Sequence, residues 1–365
     1  MTSEFDRHMM HHCLALARRA SGQTAPNPLV GAVIVQGEEI IGEGFHPGAG
    51  QPHAEVFALR EAGDRANGAT LYVNLEPCNH YGRTPPCSEA LIQAGITKVV
   101  VGMIDPDSRV AGGGIARLKD AGIDVVVGVE ETACQELNEA FVHRIRYHRP
   151  FGILKYAMTL DGKIAATGGH SAWVTSLPAR AEVHQLRAAC DAVVIGGNTL
   201  RTDNPLLTSR GMGREPLRVV MSRKLNVSTD AQLWDTSIAP TLVLTETGAD
   251  SHTQQALVQK GVEVIRMAAL TPAQVMQHLY DRGCLAVLWE CGGTLAARAI
   301  ADGVIQKLYA FVAPKIIGGH DAPSPIGDLG YTQMTDALLL DRFTWRGVGS
   351  DVLLTGYLSI KEPTL

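Results

Sequence analysis

Residues 53–87 read HAEVFALREAGDRANGATLYVNLEPCNHYGRTPPC, and they set the expected fold of the first part of the chain. Residues 53–61 have the spacing of a helix, residues 70–75 form a strand pattern, and a second helical segment begins at Cys87. This alternation is typical of a layered α/β domain with a largely parallel sheet. We therefore expect the same rhythm on both sides of the stretch.

The flanking segments of the first half continue this alternation. A helix is predicted over residues 4–20, and residues 30–35 and 39–45 flank a short turn and predict a β-hairpin. Downstream of Cys87 the pattern predicts strands at 98–102 and 123–128 and helices at 115–120 and 130–145. The stretch RIRYHRP, which ends at Pro150, predicts a domain boundary near residue 148.

The second half repeats the α/β rhythm with different sequences. Strand candidates lie at residues 152–157, 192–195, 217–221, 241–244, 262–265, 285–289 and 307–312, and helix candidates at 178–188 and 272–282. A chain of 365 residues exceeds the size at which a single core stops growing. Because no repeat of 20 to 50 residues occurs, we expect two unlike domains, residues 1–148 and 149–365.

Composition narrows the classes of partner. A net charge of −5 and the absence of a Lys or Arg run argue against nucleic acid as the main substrate, although a small anionic metabolite needs only one or two cations. Seven cysteines, an odd number, favour a reducing compartment over a disulfide framework. The first twenty residues carry acids and histidines where a signal peptide would need a basic start and an apolar stretch, and no apolar run reaches about 18 residues. The sequence therefore predicts a cytoplasmic protein with no membrane partner.

The sharpest local signal is a set of metal-ligand residue types. His53, Cys78 and Cys87 supply one imidazole and two thiolates, which leave a tetrahedral zinc ion with its fourth position open for water. Glu55 follows two residues after the histidine and is not needed for coordination. It can take a proton from that water and return it to a leaving amine. Hydrolytic deamination needs this combination.

Two alternatives to a catalytic zinc site stay open at this point. A structural zinc ion could take His80 or His46 as its fourth ligand, but Glu55 would then have no task. The cysteines could also be unrelated buried thiols that bind no metal.

The motifs around these residues resemble those of a known enzyme family. The HAE and PC elements are similar to the cytidine deaminase superfamily, but eight residues instead of two separate the cysteines in CNHYGRTPPC. That longer form, together with TAPNPLVGAVIV and GEGFHPGAGQPHAEVFAL, resembles the deaminase domain of the bifunctional deaminase–reductase family of riboflavin biosynthesis. The resemblance implies a cytidine-deaminase-like three-layer domain and a 2,5-diamino-6-(5-phosphoribosylamino)pyrimidinone substrate.

The same resemblance implies roles for individual residues. It makes His53, Cys78 and Cys87 the zinc ligands and Glu55 the proton donor and acceptor. Four further polar residues fall in the matching motifs and are expected to bind the substrate, or alternatively to support their loops: Asn27, His46, His80 and Arg83. The stretch DPDSRVAGGGI departs from the family, which usually has an Asn-Pro pair after the first Asp-Pro, so no role is assigned there.

The second half contains neither GxGxxG nor a Walker loop, so no standard nucleotide motif is present. The stretches KYAMTLDGKIA, SAWVTS, VVIGGNTLRTDNPLLTSR, LWECGGTLAARAI and FVAPKIIGG resemble the reductase domain of the same family, a relative of dihydrofolate reductase. This resemblance implies a dihydrofolate-reductase-like α/β domain that uses NADPH to convert a ribosyl group into a ribityl chain. The stretch ADGVIQKLYA, which follows GGTLAARAI, departs from the family and is left out of the site.

Carried over by motif, the resemblance implies two groups of residues in this domain. The cofactor group contains Ala157, Trp173, Thr199, Asp203, Gly292 and Gly293, with Ser222 beside Arg223 where a 2′-phosphate would be held. The substrate group contains Lys155, Asp161, Ser171, Arg187, Leu207, Arg210 and Glu290. As alternatives, the arginines are surface cations and Lys155 with Asp161 is a structural ion pair.

Three other interpretations compete with a bifunctional enzyme. The chain could be a nucleoside or nucleic-acid deaminase with an accessory domain, a binding protein with a structural zinc ion, or a family member that has lost one activity. The acidic charge, the eight-residue cysteine spacing and the retained Glu55 favour the bifunctional enzyme. Its partner is then a small phosphorylated molecule, and a homo-oligomer is expected because reductase domains of this kind commonly assemble.

Overall fold

The computed structural model describes residues 3–80, 85–108 and 110–359. The chain divides into two compact units, Met1–His148 and Arg149–Leu365. Among the described residues, no helix is both long enough and apolar enough to cross a membrane.

The first unit is built around a five-stranded sheet. Its strands are β1 (Gly31–Gln36), β2 (Glu39–Phe45), β3 (Thr70–Leu75), β4 (Lys98–Met103) and β5 (Asp124–Val127). Its helices are α1 (Glu4–Arg18), α2 (Ala54–Ala62), α3 (Cys87–Gln93), α4 (Gly113–Asp120), α5 (Glu131–Leu137) and α6 (Glu139–Tyr147). The strand order is β2-β1-β3-β4-β5, with β2 antiparallel to β1, β1 antiparallel to β3, and the remaining pairs parallel.

Helices cover both faces of this sheet. Ile34 and Val73 pack with residues of α2, α3 and α4 on one face, whereas Val33 and Tyr72 pack with α1 and α5 on the other. Alternate residues of one strand point to opposite faces, so strands that are apolar throughout are buried on both faces of the sheet. The predicted three-layer arrangement is confirmed.

The prediction of one helix over residues 130–145 is wrong. The structure has two helices, α5 and α6, which meet at Asn138 with φ −104° and ψ 19°. The Asn138 side chain bonds the backbone of Leu29, accepting from its N–H at 2.8 Å and donating to its carbonyl at 3.0 Å. A side chain that satisfies a distant backbone in this way competes with helix continuation, and amphipathic spacing alone does not reveal it.

The second unit contains a nine-stranded sheet. Its strands are β6 (Phe151–Thr159), β7 (Ala192–Gly196), β8 (Leu217–Met221), β9 (Thr241–Glu246), β10 (Glu263–Met267), β11 (Ala286–Trp289), β12 (Lys307–Ala313), β13 (Leu340–Val348) and β14 (Asp351–Leu358). Its helices are α7 (Leu177–Ala189), α8 (Gly197–Asp203), α9 (Ser251–Gln259), α10 (Pro272–Asp281) and α11 (Gly293–Ala301).

The sheet order brings one set of strand ends together. The order is β10-β9-β8-β7-β11-β6-β12-β14-β13, parallel from β10 to β12 and antiparallel for the last two strands. In the main core, α10 and α11 pack on one face of the sheet, and α7 packs near β12 and β14 on the other face. Because the carboxyl ends of parallel strands meet at one edge, Gly196, Arg223 and Glu290 are placed along the same edge.

Candidate active sites

The three predicted zinc ligands lie together in the first unit. His53 immediately precedes α2, Cys78 follows β3, and Cys87 is the first residue of α3. The Nδ1 atom of His53 lies 3.2 Å from the Cys87 sulfur and 3.5 Å from the Cys78 sulfur. One donor atom of each residue lies within 4.8 Å of the others, a spacing that one metal ion can bridge.

The electrostatics of this cluster favour a bound cation. Hydrogen bonding to Cys87 and to His53 lowers the pKa of the Cys78 thiol well below its ordinary value. The backbone N–H of Cys87 also donates to the Cys78 sulfur at 3.4 Å, from the N-terminal end of α3. Zinc binds the thiolate, so a sulfur that loses its proton readily fits the role of ligand.

Glu55 is the second feature that fits a zinc site. Its side chain is 3% exposed, and its Oε2 atom has no hydrogen-bond partner among the residues that the structure describes. Burial, together with the nearby Cys78 sulfur, raises the pKa of the Glu55 carboxyl to about 6. A buried carboxyl with a free oxygen beside three metal-ligand atoms is better suited to proton transfer than to the role of a fourth structural ligand.

His46 and Asn27 form a fixed polar pair beside the cluster. The Nδ2 amide of Asn27 lies 3.0 Å from His46 Nε2, while His46 Nδ1 lies 3.0 Å from the Pro52 carbonyl. Both ring nitrogens are therefore engaged, which disfavours His46 as a fourth metal ligand. The His46 ring stands edge-on to His53 at 5.5 Å, so the pair borders the zinc ligands.

The other two predicted substrate residues of this unit are His80 and Arg83. His80 is exposed and does not belong to the metal-ligand cluster. Arg83 lies outside the described residues.

Glu76 is a structural element of this site that sequence analysis missed. Its carboxylate accepts four backbone N–H groups, from Asp105 (3.2 Å), Gly112 (3.0 Å), Gly114 (2.9 Å) and Ile115 (3.2 Å). It therefore ties the segment just before Cys78 to the start of α4. The signal in the sequence was an acid directly before Pro-Cys at the end of an apolar strand, which is an unusual position for an unpartnered charge.

In the second unit, most of the predicted reductase residues line one cavity. Its volume is about 1220 Å³, which exceeds the range of roughly 300–1000 Å³ typical of single small-molecule sites. Twelve of the fourteen predicted residues line it: Lys155, Ala157, Ser171, Trp173, Arg187, Thr199, Asp203, Leu207, Arg210, Glu290, Gly292 and Gly293. A cavity of this size has room for a cofactor and a substrate together.

Two predicted residues do not line the cavity. The Asp161 carboxylate accepts from the Thr159 hydroxyl (2.6 Å) and from the backbone N–H of Gly318 (2.7 Å), so it fixes two loops to each other. Ser222 is buried, and Gly197 packs against it, leaving no room for a β-carbon at Gly197 without displacing the serine. Its neighbour Arg223 does line the cavity.

A buried charge cluster lies in the cavity wall. Glu290 Oε1 accepts from Arg187 Nε at 2.6 Å, and Glu290 Oε2 accepts from Arg187 Nη2 at 3.0 Å and from Lys155 Nζ at 3.3 Å. Burial alone would raise the pKa of Glu290, but the two cations lower it to about 2. The glutamate is therefore ionised at neutral pH, and it holds both cations in place.

The cavity has an excess of positive charge although the chain is acidic. Its lining contains six Lys or Arg residues and two Asp or Glu residues. Four of these cations were predicted or mentioned from the sequence, whereas Arg180 and Arg298 were missed. Arg180 shares one face of α7 with Arg187, seven residues away, so the helical period offered the missing signal. Its guanidinium carbon lies 4.1 Å from the centre of the Trp173 ring.

The turn at the start of α11 has the features of a pyrophosphate cradle. A β-carbon on Gly292 would meet nothing within 4 Å, so the backbone there is open to the cavity. Gly293 instead packs against the 324–327 loop, where a side chain would clash with the Ser324 carbonyl. Free backbone N–H groups at a helix N-terminus suit a bound phosphate, and the residues present therefore fit a dinucleotide.

Comparison with known proteins resolves the family. Residues 3–103 match the cytidine and deoxycytidylate deaminase zinc-binding region, and residues 150–354 match the RibD C-terminal domain. The chain is 64% identical to riboflavin biosynthesis protein RibD of Synechocystis sp. over 354 residues, which cover 97% of this chain and 96% of that protein. The Escherichia coli RibD is 38% identical and covers 96% and 98%.

The chain belongs to the RibD family. The RibD structure of Acinetobacter baumannii superposes with a TM-score of 0.88 at 36% identity, covering 98% of this chain and 99% of that one. The Thermotoga maritima structure, a diaminohydroxyphosphoribosylaminopyrimidine deaminase/5-amino-6-(5-phosphoribosylamino)uracil reductase, superposes with a TM-score of 0.86 at 34% identity, covering 97% and 99%.

RibD membership confirms the fold and the general activity predicted from the sequence. The chain is a bifunctional enzyme of riboflavin biosynthesis, with a zinc-dependent deaminase step and an NADPH-dependent reductase step. The cytidine-deaminase-like and reductase domain types are both confirmed. The interpretations as a nucleic-acid deaminase or a non-enzymatic zinc protein are excluded by the match over the whole chain.

Proposed function

We propose that residues 1–148 catalyse the hydrolytic deamination of 2,5-diamino-6-(5-phosphoribosylamino)pyrimidin-4(3H)-one. The observation that carries this proposal is the buried Glu55, with its unpaired oxygen, beside His53, Cys78 and Cys87. When bound by these three residues, zinc acidifies a water molecule and so makes it a nucleophile at neutral pH.

The residues of the chain then handle the proton. Glu55 Oε2 accepts the proton that the attacking water loses and delivers it to the amine that leaves, and its raised pKa suits both transfers. Asn27 and His46 hold the pyrimidine ring through their fixed polar pair. His80 and Arg83 remain proposed contacts to the substrate.

We propose that residues 149–365 reduce the deaminated product, 5-amino-6-(5-phosphoribosylamino)uracil, at its sugar. The observation that carries this proposal is the cation-rich cavity with the cluster of Glu290, Arg187 and Lys155 in its wall. When bound, NADPH supplies the hydride that C1′ of the ribosyl group receives. When the ribosyl ring opens, its ring oxygen needs a proton. We propose that Lys155 Nζ donates this proton or holds the open-chain sugar.

The remaining cavity residues are proposed to bind the two ligands. Arg187 and Arg210 bind the substrate phosphate with support from Ser171 and Leu207. The cofactor side contains Ala157, Trp173, Thr199, Asp203, Gly292 and Gly293, with Arg223 meeting the 2′-phosphate. Asp161 and Ser222 are assigned to supporting the surrounding loops.

Cofactor choice gives a direct test of the last assignment. We expect higher catalytic efficiency with NADPH than with NADH. We expect Arg223→Ala to remove most of that difference, because it weakens the binding of NADPH and leaves the binding of NADH unchanged. Lys224→Ala, an exposed neighbour outside the cavity, is the matched control. Equal efficiency of the wild-type enzyme with both cofactors would contradict the assignment.

We further propose that the protein forms a homo-oligomer in the cytoplasm. Strand β13 lies at the edge of its sheet, and seven of its nine residues are exposed. Phe343 (62% exposed) and Trp345 (77% exposed) lie two residues apart and so share one face. An exposed aromatic edge strand can pair with its own copy across a twofold axis.

The assembly is tested by sedimentation of the wild-type protein and of Trp345→Glu. We expect the variant to be smaller than the wild type, whereas Val258→Glu, at an exposed apolar residue of α9, leaves the size unchanged. A monomeric wild-type protein would remove this proposal.

The two activities are tested in a single vessel. The diaminopyrimidinone ribotide is supplied to zinc-loaded protein, first without and then with NADPH, while ammonia release and NADPH oxidation are followed separately. We expect ammonia without cofactor, and NADPH oxidation only after deamination. Ammonia alone would refute the reductase assignment, and silence in both channels would refute the proposed deaminase site.

A further inference from the structure

The 206–210 loop carries two of the proposed substrate residues in a strained backbone. Leu207 has φ 54° and Arg210 has φ 53°, and both residues line the cavity. A residue other than Gly, Asn or Asp rarely adopts this backbone conformation, which costs on the order of 1 kcal/mol or more per residue. Such a backbone persists only where the surrounding groups hold it.

The cavity side of the loop is held by α7. The Thr208 carbonyl accepts from Arg187 Nη1 at 3.1 Å and from the Nδ1 atom of His184 at 3.2 Å. These contacts fix one carbonyl of the loop next to the proposed phosphate site. They leave Ser209, the following residue, to be held from elsewhere.

Ser209 is held from behind by the carboxylate of Glu215, and its hydroxyl also lies 3.1 Å from the Gly213 carbonyl. Glu215 Oε2 accepts from the Ser209 backbone N–H at 2.6 Å, and Glu215 Oε1 accepts from the Ser209 hydroxyl at 2.8 Å. Ser209 is fully buried, so no water replaces either bond. Hydrogen bonds to a carboxylate are shorter and stronger than those between neutral groups.

Glu215 does not line the cavity, so it acts through Ser209 and not on the substrate. The fold also places it where its charge favours the cationic forms of Arg187 and Arg218, two arginines that donate to carbonyls of the loop. Arg218 is itself fully buried and donates to the Leu206 carbonyl at 3.4 Å. Leu206, Thr208 and Ser209 are thus fixed by charged groups from outside the loop.

We propose that Glu215 is a positioning residue of the reductase site, which fixes Ser209 so that the neighbouring Arg210 meets the substrate phosphate. This inference rests on the proposed function of Arg210. Without the carboxylate, the buried backbone N–H of Ser209 loses its acceptor and the hydroxyl keeps only the Gly213 carbonyl, so the backbone at Arg210 relaxes from its strained conformation. The affinity for the phosphorylated substrate falls, whereas the cofactor side of the cavity is unchanged.

The test compares Glu215→Gln with the wild type in steady-state reduction of 5-amino-6-(5-phosphoribosylamino)uracil. We expect the KM for this substrate to rise roughly tenfold, which corresponds to the loss of one charge-assisted hydrogen bond. The kcat and the KM for NADPH stay within about twofold, since the contact is made to bound substrate and transition state alike. Unchanged tryptophan fluorescence reports that the second unit is folded, since all four tryptophans belong to it.

A second variant guards against a folding defect. Ser209→Ala keeps the backbone bond to Glu215 and loses only the hydroxyl contacts with Glu215 and the Gly213 carbonyl, so its effect on the substrate KM should be smaller. If both residues act through one contact, the double variant shows less than the product of the two single effects. Glu182→Gln, which breaks an exposed pair with Arg346 in the same unit, is the matched control and should leave every constant unchanged.

Arg210→Ala distinguishes the positioning role of Glu215 from the phosphate contact of Arg210. A raised substrate KM in Arg210→Ala with no change in Glu215→Gln would overturn the positioning role alone. No change in Arg210→Ala would refute the proposed phosphate contact itself. A fall in kcat or a rise in the KM for NADPH in Glu215→Gln would overturn the inference in favour of a general structural role.

Discussion

Glu55 lies in the first turn of α2, where one oxygen of its buried carboxyl has no partner among the described residues. Replacement by glutamine keeps the size of the side chain and removes the proton acceptor. We expect Glu55→Gln to lower the deaminase rate by roughly 10²- to 10⁴-fold, the contribution typical of general acid–base catalysis. Ammonia release from the diaminopyrimidinone ribotide measures the loss.

Zinc content distinguishes this role from that of a ligand. Because Glu55 is not among the three clustered donors, the variant should retain as much zinc as the wild type. Reduction of separately supplied deaminated substrate should also be unchanged. Loss of zinc from Glu55→Gln would mean that the glutamate stabilises the metal and not the proton.

Glu290 provides the second prediction at the scale of one residue. Its side chain is 8% exposed and pairs with Arg187 and Lys155, so Glu290→Gln leaves two buried cations without their counter-charge. Removal of one partner from a buried ion pair typically costs about 3–5 kcal/mol of unfolding free energy. The loss can be measured from urea unfolding followed by tryptophan fluorescence, since Trp173, Trp234, Trp289 and Trp345 all belong to the second unit.

The pH dependence of this loss follows from the sign of the pKa shift. The folded pKa of Glu290, about 2, is lower than its ordinary value of 4.5. Its contribution is therefore fully present above about pH 4.5 and is lost as the pH falls towards 2. The stability difference between Glu290→Gln and wild type should be constant from about pH 5 to 8 and shrink below that range. A difference that varies between pH 6 and 8 would contradict the assigned ionisation.

At the scale of elements, the start of α4 supports the zinc site through close packing. A β-carbon on Gly114 would overlap the Pro77 carbonyl oxygen, directly before the ligand Cys78, whereas one on Gly113 would meet nothing within 4 Å. We expect Gly114→Ala to displace the 76–78 segment and to weaken zinc binding by about 10- to 100-fold, as outer-shell changes commonly do. Competition with a colorimetric chelator measures the affinity.

Gly113→Ala is the matched control for this prediction. It adds the same methyl group to the same turn of α4 in open space, so zinc affinity and ammonia release should match those of the wild type. Equal zinc affinity in both alanine variants would show that the 76–78 segment tolerates the displacement.

The elements that sequence could predict are those whose burial leaves a clear apolar pattern in the chain. Strand β3 was predicted with both of its ends correct, because its residues are buried on two faces and form an apolar run between helices. The ligands His53, Cys78 and Cys87 were likewise visible, since their residue types have few other uses in this pattern. Motif resemblance supplied the reductase residues, which lie far apart in the chain.

The elements that sequence missed depend on contacts between distant residues. The hairpin β13–β14 was not predicted, because β13 is largely exposed and lacks an apolar run. The break at Asn138 depends on Leu29, more than 100 residues away. Glu76 and Glu215 contribute by accepting backbone N–H groups of loops, and the sequence does not show which loops approach them.

At the scale of the whole molecule, each unit has its own hydrophobic core. Leu71 and Tyr72 belong to cores built only from residues of the first unit, whereas Val194 and Phe311 belong to cores of the second. Separate cores allow each unit to keep its structure when the other is perturbed. The two activities should therefore respond separately to changes that affect only one unit.

Removal of the metal tests this independence. Among the described residues, the cluster of His53, Cys78 and Cys87 is the single group of donors with metal-binding spacing, and it belongs to the first unit. We expect chelator-treated protein to release no ammonia from the diaminopyrimidinone ribotide, yet to oxidise NADPH at the wild-type rate when given the deaminated product. Added zinc should restore ammonia release. Parallel loss of both activities on chelation would mean that the second unit depends on the folding of the first, since the cavity residues offer no metal site of their own.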